Sequence, residues 1–217
     1  MATGLRERKK ERTRQLIADT ARTLFQERGF DRVTVAEIAE VAEVSQGTVF
    51  NYFPTKEDLF FSGMDVFERR LVDAVAARPV GETVLGAFRR VVLDGTARLA
   101  DPAVADMIHE ATTLIRASAA LQAREREMVA HHVDRLAALI AEETHAPDHD
   151  PTPATAAGAL MGAQRALVAF IHARVHVGES GPKLASAARR QGRKAFALLE
   201  SGLADYAVKA DTARTRR

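Results

Sequence analysis

The chain has 217 residues, of which 47% are hydrophobic and 28% are charged, and it contains no cysteine. This length is sufficient to bury a core, and the lack of cysteine excludes disulfide bonds and thiol catalysis. The 31 basic and 29 acidic residues give a net charge of only +2, so overall charge says little about an anionic partner. No signal peptide follows the N-terminal charges, and no apolar run approaches the roughly 18 residues of a membrane span. We therefore expect a cytoplasmic protein without membrane contact.

The charge is unevenly distributed at the N-terminus. Residues 1–14 carry six basic and two acidic side chains, a net charge of +4, whereas residues 15–60 carry four basic and eight acidic ones, a net charge of −4. A basic arm in front of an acidic body indicates that an anionic partner meets the arm. The alternative is a solvated helix start that frays.

The first predicted helix has apolar residues at helical spacing and ends at Gly29, where glycine suits a left-handed C′ position. Two short helices follow, the first capped by Thr34 and the second by Ser45. A tight turn at residues 42–44 joins them, and this arrangement is typical of a helix-turn-helix. A further helix start is predicted at Thr55, after Pro54.

Longer helices follow, predicted at about 56–78, 84–99, 102–115, 129–140, 152–177 and 184–209. The sequence thus predicts an all-α protein of about nine helices and no strand. We expect a DNA-binding helix-turn-helix domain at residues 1–55, a ligand-binding and dimerisation domain at residues 56–209 and a disordered tail at residues 210–217.

The segment LFQERGFDRVTVAEIAEVAEVSQGTVFNYFPTKEDL, residues 24–59, resembles the DNA-binding domain of tetracycline-repressor-type (TetR family) transcription regulators. The lead-in LF…GF…T…IA, the recognition-helix pattern VS.GT.F.YF and the trailing KEDL carry the resemblance, and the helix order extends it over the whole chain. It implies a transcriptional regulator, a repressor in the first instance, that binds a double-stranded DNA operator. It implies no enzyme activity, no cofactor and no metal.

The residue types in the second short helix suit the major groove. Gly47 would let the backbone approach DNA at a cost in helix propensity, and Gln46 and Asn51 have the amide groups that pair with base edges. A phenol at position 52, a cation at position 56 and a helix N-terminus at position 34 suit phosphates. The predicted DNA-binding residues are Thr34, Ser45, Gln46, Gly47, Thr48, Phe50, Asn51, Tyr52 and Lys56. The alternative is that Phe50 and Tyr52 belong to the core.

The C-terminal half is expected to form a dimer. Ala154, Gly158, Gly162 and Ala166 recur every four residues, and such a ridge of small side chains allows close helix packing. The last helix repeats the theme with Ala187, Ala188, Ala195 and Leu199. The resemblance implies a homodimer through these two C-terminal helices; the alternative is that the ridge packs within one protomer.

A small-molecule effector is expected among the central helices, where polar groups interrupt apolar stripes. The predicted ligand-binding residues are Phe67, Phe88, Met107, His132 and Gln164. Arg116, Arg124 and Arg126 fall near this region and would suit an acidic ligand. The stretch from Tyr52 to Phe88 resembles a subgroup of the family associated with acyl-CoA-like ligands, so the expected effector is largely apolar or of acyl type.

Two histidine patterns are the basis of a rival interpretation. His145 and His149 lie near acidic residues, and His172 and His176 have i, i+4 spacing, which can chelate a metal. Neither has a clear third ligand, so we expect no metal site. The rivals to a regulator are a metal-dependent enzyme and a ligand-binding protein without DNA binding; the sign of regulation, the operator and the effector stay open.

Overall fold

The computed structural model describes residues 4–63 and 65–203, apart from the side chains of residues 5, 65–68, 201 and 203. This described part contains ten α-helices, one 3-10 turn and no strand, which confirms the all-α class. The predicted tail at residues 210–217 lies outside the described residues. The helices are α1 (Leu5–Arg28), α2 (Val35–Val41), α3 (Gln46–Tyr52), α4 (Lys56–Phe61), α5 (Asp65–Ala76), α6 (Val84–Gly95), α7 (Pro102–Ala117), α8 (Ala119–Thr144), α9 (Thr152–His176) and α10 (Gly181–Leu203).

Two predicted helices are interrupted, and the division of the first of them raises the number of α-helices from the expected nine to ten. The helix expected at 56–78 is divided, since α4 ends at Phe61 and α5 begins at Asp65. Ser62 bonds back to the Leu59 carbonyl at 3.0 Å, and serine and glycine here both favour leaving a helix. The helix expected at 84–99 ends at Gly95, and the 3-10 turn Thr96–Ala100 follows it.

The chain folds into two compact units. The first comprises Met1–Val66 and Glu110–Arg126, and the second comprises Phe67–His109 and Glu127–Arg217. The domain boundary that the sequence suggested at residue 55 stays a prediction.

The first unit is built on α1, whose apolar face is fully buried. Ile17, Leu24 and Phe25 contribute at most 5% of their surface to solvent. Gly29 is the C-cap of the helix, at φ +82° and ψ 153°, which is a conformation for glycine but not the expected left-handed helical one, and its N–H donates to the Phe25 carbonyl at 2.9 Å. Phe30 then folds back, with its ring centroid 5.0 Å from that of Phe25. This turn places the start of α2 against α1.

The second unit has one large apolar core that includes Leu71, Phe88, Leu136 and Phe196. A buried cation lies within this unit: the Arg78 side chain is fully buried. Its guanidinium donates to the Val75 carbonyl at 2.7 Å, to the Glu82 carbonyl at 3.0 Å and to the Glu143 carboxylate. A buried charge is tolerated when it is paired and hydrogen-bonded in this way. Arg78 thus joins the end of α5, the following loop and α8.

Helix α9 is long and apolar enough to cross a membrane by length and composition alone, with a mean hydropathy of 1.3 over an 18-residue window. This differs from the expectation that no run approaches a span. One third of that window is buried inside the protein, and core helices of water-soluble proteins pass the same test. The apolar character of α9 is therefore weak evidence for a membrane span. The part of this helix that is not buried in the protein presents an exposed apolar face.

Candidate nucleic-acid interface

The helix-turn-helix begins at a reciprocal cap on α2. The Thr34 hydroxyl accepts from the Glu37 N–H at 3.2 Å, and the Glu37 carboxylate accepts from the Thr34 N–H at 2.8 Å. The Thr34 N–H and the Thr34 hydroxyl both donate to the Glu37 carboxylate, and these two bonds hold the pKa of Glu37 below its ordinary value. Because the pKa is lower in the folded state, the stabilisation is present at neutral pH and is lost as the pH falls through the folded pKa. Thr34 thus lies at an exposed helix start, as the sequence predicts.

The turn between α2 and α3 is closed by backbone bonds and one strained residue. The Val44 N–H donates to the Ala39 carbonyl at 2.9 Å, the long bond of a Schellman turn. Glu43 adopts φ +54°, a left-handed conformation that costs a non-glycine residue about 1–2 kcal/mol. The sequence pattern did not reveal this strain, because glutamate gives no sign of a left-handed position.

Helix α3 has two distinct faces. Val49 and Phe53 point inward and are 1% and 2% exposed, respectively. Phe50 is 48% exposed, which contradicts the alternative that it belongs to the core. Tyr52 is half-buried at the edge of the two faces. The exposed predicted residues on this helix are Gln46, Gly47, Phe50 and Asn51.

The N-cap of α3 engages Thr48, one of the residues predicted to contact bases. The Ser45 hydroxyl accepts from the Thr48 N–H at 3.0 Å, and the two hydroxyl oxygens lie 2.8 Å apart. Thr48 is consequently half-buried, with its hydroxyl engaged by Ser45. The part of Thr48 that remains available to DNA is chiefly its methyl group.

Gly47 has no packing reason to lack a side chain. A Cβ built there would contact only the Ser45 hydroxyl, at an ordinary 3.8 Å. Glycine is unfavourable by up to roughly 1 kcal/mol relative to alanine within a helix, and Gly47 lies in the first turn of α3. The backbone at Gly47 therefore faces solvent, and no packing contact inside the protein requires glycine there.

Lys56 is more constrained than the sequence suggested. Its ammonium donates to the carbonyls of Phe30 and Val33, at 3.1 and 3.0 Å, and lies 4.2 Å from the centroid of the Phe30 ring. These carbonyls belong to the turn between α1 and α2, so Lys56 links the start of α4 to that turn. The side chain is half-buried. An ammonium has three donors, so the two carbonyls leave one N–H of Lys56 for a further acceptor.

Arg14 supports α3 from the opposite end. Its guanidinium lies 4.6 Å from the Phe53 ring centroid and donates to the Tyr52 carbonyl at 3.4 Å. A cation at a helix C-terminus and over an aromatic face is favourable. Sequence reasoning placed Arg14 in the basic arm and missed this positioning role, because the contact spans 38 residues of sequence.

The basic arm is helical over its described residues. Helix α1 begins at Leu5, so these cations lie on the first turns of a helix rather than on an extended strand. The exposed basic residues of this segment are Arg6, Arg8, Lys9, Lys10 and Arg12.

Residues 110–126 of the first unit contact the turn between α1 and α2 and helix α4 through polar side chains. The buried Ser118 hydroxyl donates to the Asp31 carboxylate at 2.7 Å. The Arg124 guanidinium donates to one carboxylate oxygen of Asp58, at 2.6 and 3.1 Å, and the other oxygen caps Thr55. Arg124 is therefore engaged within the first unit, which corrects its suggested role beside a ligand.

The predicted ligand-binding residues do not share one environment. Phe88, His132 and Gln164 are buried in the second unit, at 0%, 2% and 4% exposure, and His132 Nδ1 lies 2.6 Å from the Met128 carbonyl oxygen. Met107 is 58% exposed, so it lies on the surface and not against these three. The side chain of Phe67 lies outside the described residues.

The histidine patterns lead to no metal cluster in the part of the chain that the structure describes, where no group of three potential ligands occurs. His145 and His149 adopt φ +50° and +69° in the loop between α8 and α9. His176 stacks on His109 of α7, with ring centroids 6.1 Å apart.

A second exposed surface lies on α9 and α10. All four ridge residues of α9, Ala154, Gly158, Gly162 and Ala166, are exposed, and a Cβ at either glycine would meet no atom within 4 Å. The ridge thus does not pack inside the protomer, which corrects the alternative. On α10, Ala187 and Ala188 are buried instead, whereas Leu198 is 80% exposed.

An apolar groove of about 330 Å³ adjoins this ridge. It contains none of the predicted ligand-binding residues, and it is open to solvent between α9 and α10. Its lining residues are Ala166, Leu167, Phe170, Gln191, Lys194, Ala195 and Leu198.

Comparison with known proteins identifies the class of this helix-turn-helix protein. Residues 17–62 match the family described as bacterial regulatory proteins, tetR family, and residues 82–204 match the MftR C-terminal domain. The second match covers more than half of the chain. The chain belongs to the tetR family of bacterial regulatory proteins, which confirms the resemblance read from residues 24–59.

Two relatives illustrate the extent of the similarity. The HTH-type transcriptional regulator TcmR of Streptomyces glaucescens is 38% identical over 93 residues, 41% of each chain. The HTH-type transcriptional repressor KstR of Rhodococcus jostii is 32% identical over 137 residues, 62% of each chain. The matched part thus spans less than two thirds of either relative. The family and these relatives are DNA-binding transcriptional regulators and not enzymes.

Solved structures agree on the fold. SmeT in complex with triclosan has a TM-score of 0.58 and 18% identity, over 92% of this chain and 96% of its own. The TetR-family regulator SCO0857 of Streptomyces coelicolor has a TM-score of 0.54 and 23% identity, over 87% and 95%.

Replacing Gly47 by alanine should separate stability from DNA binding. The added methyl has room in the protein, so Gly47→Ala should raise the free energy of unfolding by up to about 1 kcal/mol. On operator DNA it should weaken binding about tenfold, comparable to one mismatched base pair. Thermal unfolding and fluorescence anisotropy measure the two effects. Gly63→Ala, at another open glycine, is the control, and undiminished DNA binding by Gly47→Ala would contradict a close backbone approach.

Proposed function

We propose that this protein represses transcription by binding a near-palindromic operator through α3. The observation that carries the proposal is the outer face of α3, where Gln46, Gly47, Phe50 and Asn51 are exposed while the inner face is buried. Amide side chains suit base edges, and an exposed phenyl suits a thymine methyl. Operator binding also implies that the protein acts in the cytoplasm.

Phosphate contacts would flank this face. Lys56 and Tyr52 are half-buried at its edge, Thr34 opens α2 at an exposed helix N-terminus, and Ser45 opens α3. Helix starts and cations both favour phosphate oxygens. The exposed cations on the first turns of α1 add a sequence-independent attraction. We keep residues 1–55 as the DNA-binding domain and residues 56–209 as the domain for the effector and the second copy, although Lys56 and residues 110–126 belong to the first compact unit.

The base contacts and the phosphate contacts should respond differently to mutation. Lys56→Ala should weaken binding to all duplexes alike and reduce the salt slope by about one, because it removes one phosphate neutralisation. Gln46→Ala or Asn51→Ala should instead change sequence preference, at about 1–3 kcal/mol per affected base pair. Selection from random duplexes, followed by titration at several salt concentrations, measures both.

Thermal unfolding of Lys56→Ala is needed beside these titrations, because the lysine also holds two backbone carbonyls. Leu16→Ala, at an exposed position on α1, is a control for the selection. Unchanged sequence preference after replacement of Gln46, Thr48, Phe50 and Asn51 together would refute base recognition by α3.

We further infer that the second unit binds a small, largely apolar or acyl-type effector. His132 and Gln164 are buried polar residues in the unit whose apolar core includes Phe88, and a few polar groups among apolar side chains are typical of ligand sites. The structural neighbour SmeT was solved with triclosan. The effector would favour a dimer geometry that no longer matches the two half-sites, so its arrival would release the operator.

Mass spectrometry of the organic extract of the purified protein tests the effector assignment. A bound acyl-type or apolar compound is expected, and adding it back should lower operator affinity. His132→Ala with Gln164→Ala should reduce its retention, whereas Met107→Ala, at an exposed position, should not. An effector held equally well by the double variant would refute the assigned site.

The dimer would form through α9 and α10. The exposed ridge of small residues allows two helices to approach closely, and the open groove beside it leaves Leu198 80% exposed until another surface covers it. A two-fold dimer of this kind presents two recognition helices at about 34–36 Å, one turn of B-DNA.

Bulk at the ridge should prevent dimerisation without unfolding the protomer. A side chain at Gly162 meets nothing within 4 Å in the protomer, so Gly162→Leu should keep the helical circular-dichroism spectrum. It should raise the dimer dissociation constant at least about tenfold, a loss of about 1.4 kcal/mol. Analytical ultracentrifugation measures this, with Ala138→Leu on the exposed side of α8 as the control. A fully dimeric Gly162→Leu would place the interface elsewhere.

A further inference from the structure

The two helices assigned to the dimer are almost devoid of acidic residues. Helix α9 has no aspartate or glutamate, and α10 has only Glu200. Together they carry seven arginines and lysines against one acid: Arg165, Arg174, Lys183, Arg189, Arg190, Arg193 and Lys194 on one side, and Glu200 on the other. Their net charge of +6 contrasts with +2 for the whole chain.

Nearby carboxylates compensate only two of the seven cations. Arg174 is paired with Glu179, and Arg189 lies 3.8 Å from Asp94 while donating to the Leu93 carbonyl at 3.0 Å. The one acid, Glu200, is already paired with Arg89 of α6. Among the described residues, no carboxylate forms an ion pair with the remaining five cations, which are all exposed: Arg165, Lys183, Arg190, Arg193 and Lys194.

These cations lie beside the apolar surface. Lys183, Arg190 and Lys194 are spaced by seven and four residues and so share one side of α10. Lys194 lines the groove together with Leu198, and Arg165 follows Gly162 by three residues on the exposed side of α9. A second copy that covers the ridge and fills the groove must therefore approach this charge.

A two-fold interface brings each patch against its own copy. Since α9 and α10 offer no unpaired acid, every charged encounter between these helices in the dimer is between like charges. Helices in a bundle pack about 8–10 Å apart, a separation close to the Debye length of about 10 Å at 0.1 M salt and well within the 30 Å at 0.01 M. Repulsion across the interface is therefore strong in dilute buffer and largely screened above physiological salt.

We infer that the dimer interface is electropositive on both sides, so that added salt strengthens the dimer of this protein while it weakens DNA binding. The inference rests on the proposed dimer through α9 and α10. Counterion release makes operator affinity fall with salt, and screening of like charges makes dimer affinity rise. At protein concentrations near the dimer dissociation constant, operator occupancy therefore passes through a maximum as salt increases.

The experiment measures dimerisation of the full chain at 20, 100 and 300 mM NaCl by sedimentation velocity, and dissociation by subunit exchange between two fluorescently labelled samples. Exchange reports on a dimer that is too tight to dissociate by dilution. We expect the dimer to be about tenfold tighter, or to exchange about tenfold more slowly, at 300 than at 20 mM.

Lys194→Gln combined with Arg190→Gln provides the decisive comparison. It should tighten the dimer several-fold at 20 mM and flatten its salt dependence, whereas the control Arg70→Gln on α5 should do neither. Salt also strengthens apolar burial in general, so an equal salt dependence in the double variant would overturn the inference. A wild-type dimer that is weakened or unaffected by salt would overturn it too. A wild-type chain that stays monomeric at every salt concentration would overturn the proposed dimer itself.

Discussion

The DNA-binding unit depends on stabilising helices that are too short to exist alone. Helices α2, α3 and α4 have seven, seven and six residues, whereas isolated helices shorter than about 12–15 residues are marginal in water. Each begins with a hydroxyl cap, at Thr34, Ser45 and Thr55. Each also buries at least one apolar residue. The arrangement of the outer face of α3 follows from these caps and from burial, since the helix has little stability of its own.

Side chains of α1, α4 and α8 complete this stabilisation. Lys56 holds the carbonyls of the turn before α2, Arg14 bonds the last carbonyl of α3, and Asp58 receives Arg124 from α8. Asp58 makes two contacts at once, because one carboxylate oxygen caps α4 while the other accepts from the Arg124 guanidinium. A change in the position of residues 110–126 would therefore be transmitted directly to the start of α4, in line with a regulator that responds to an effector.

Features that depend on neighbouring residues in the sequence, such as helix caps, were predicted correctly from the sequence. The caps at Thr34, Ser45 and Thr55 and the end of α1 at Gly29 follow from residue types within four positions, and the inward placement of Val49 and Phe53 follows from helical spacing. The contacts of Lys56 and Arg124 did not follow, because they join residues 23–66 positions apart. The ion pair of buried Arg78 was missed for the same reason, because its partner Glu143 lies 65 positions away. The break after α4 was not predicted, because apolar spacing favours one continuous helix there while the low helix propensity of serine and glycine favours an interruption.

The position of Lys56 has a consequence for the entropy of binding. A free lysine side chain carries about 2 kcal/mol of rotamer entropy, which is lost when the ammonium is fixed on a partner. Here two of its three N–H groups already bind backbone carbonyls, so the rotamers are restricted during folding. A phosphate that approaches the third N–H would meet a preorganised cation, and the ordering of that side chain would add almost nothing to the entropy lost when the complex forms.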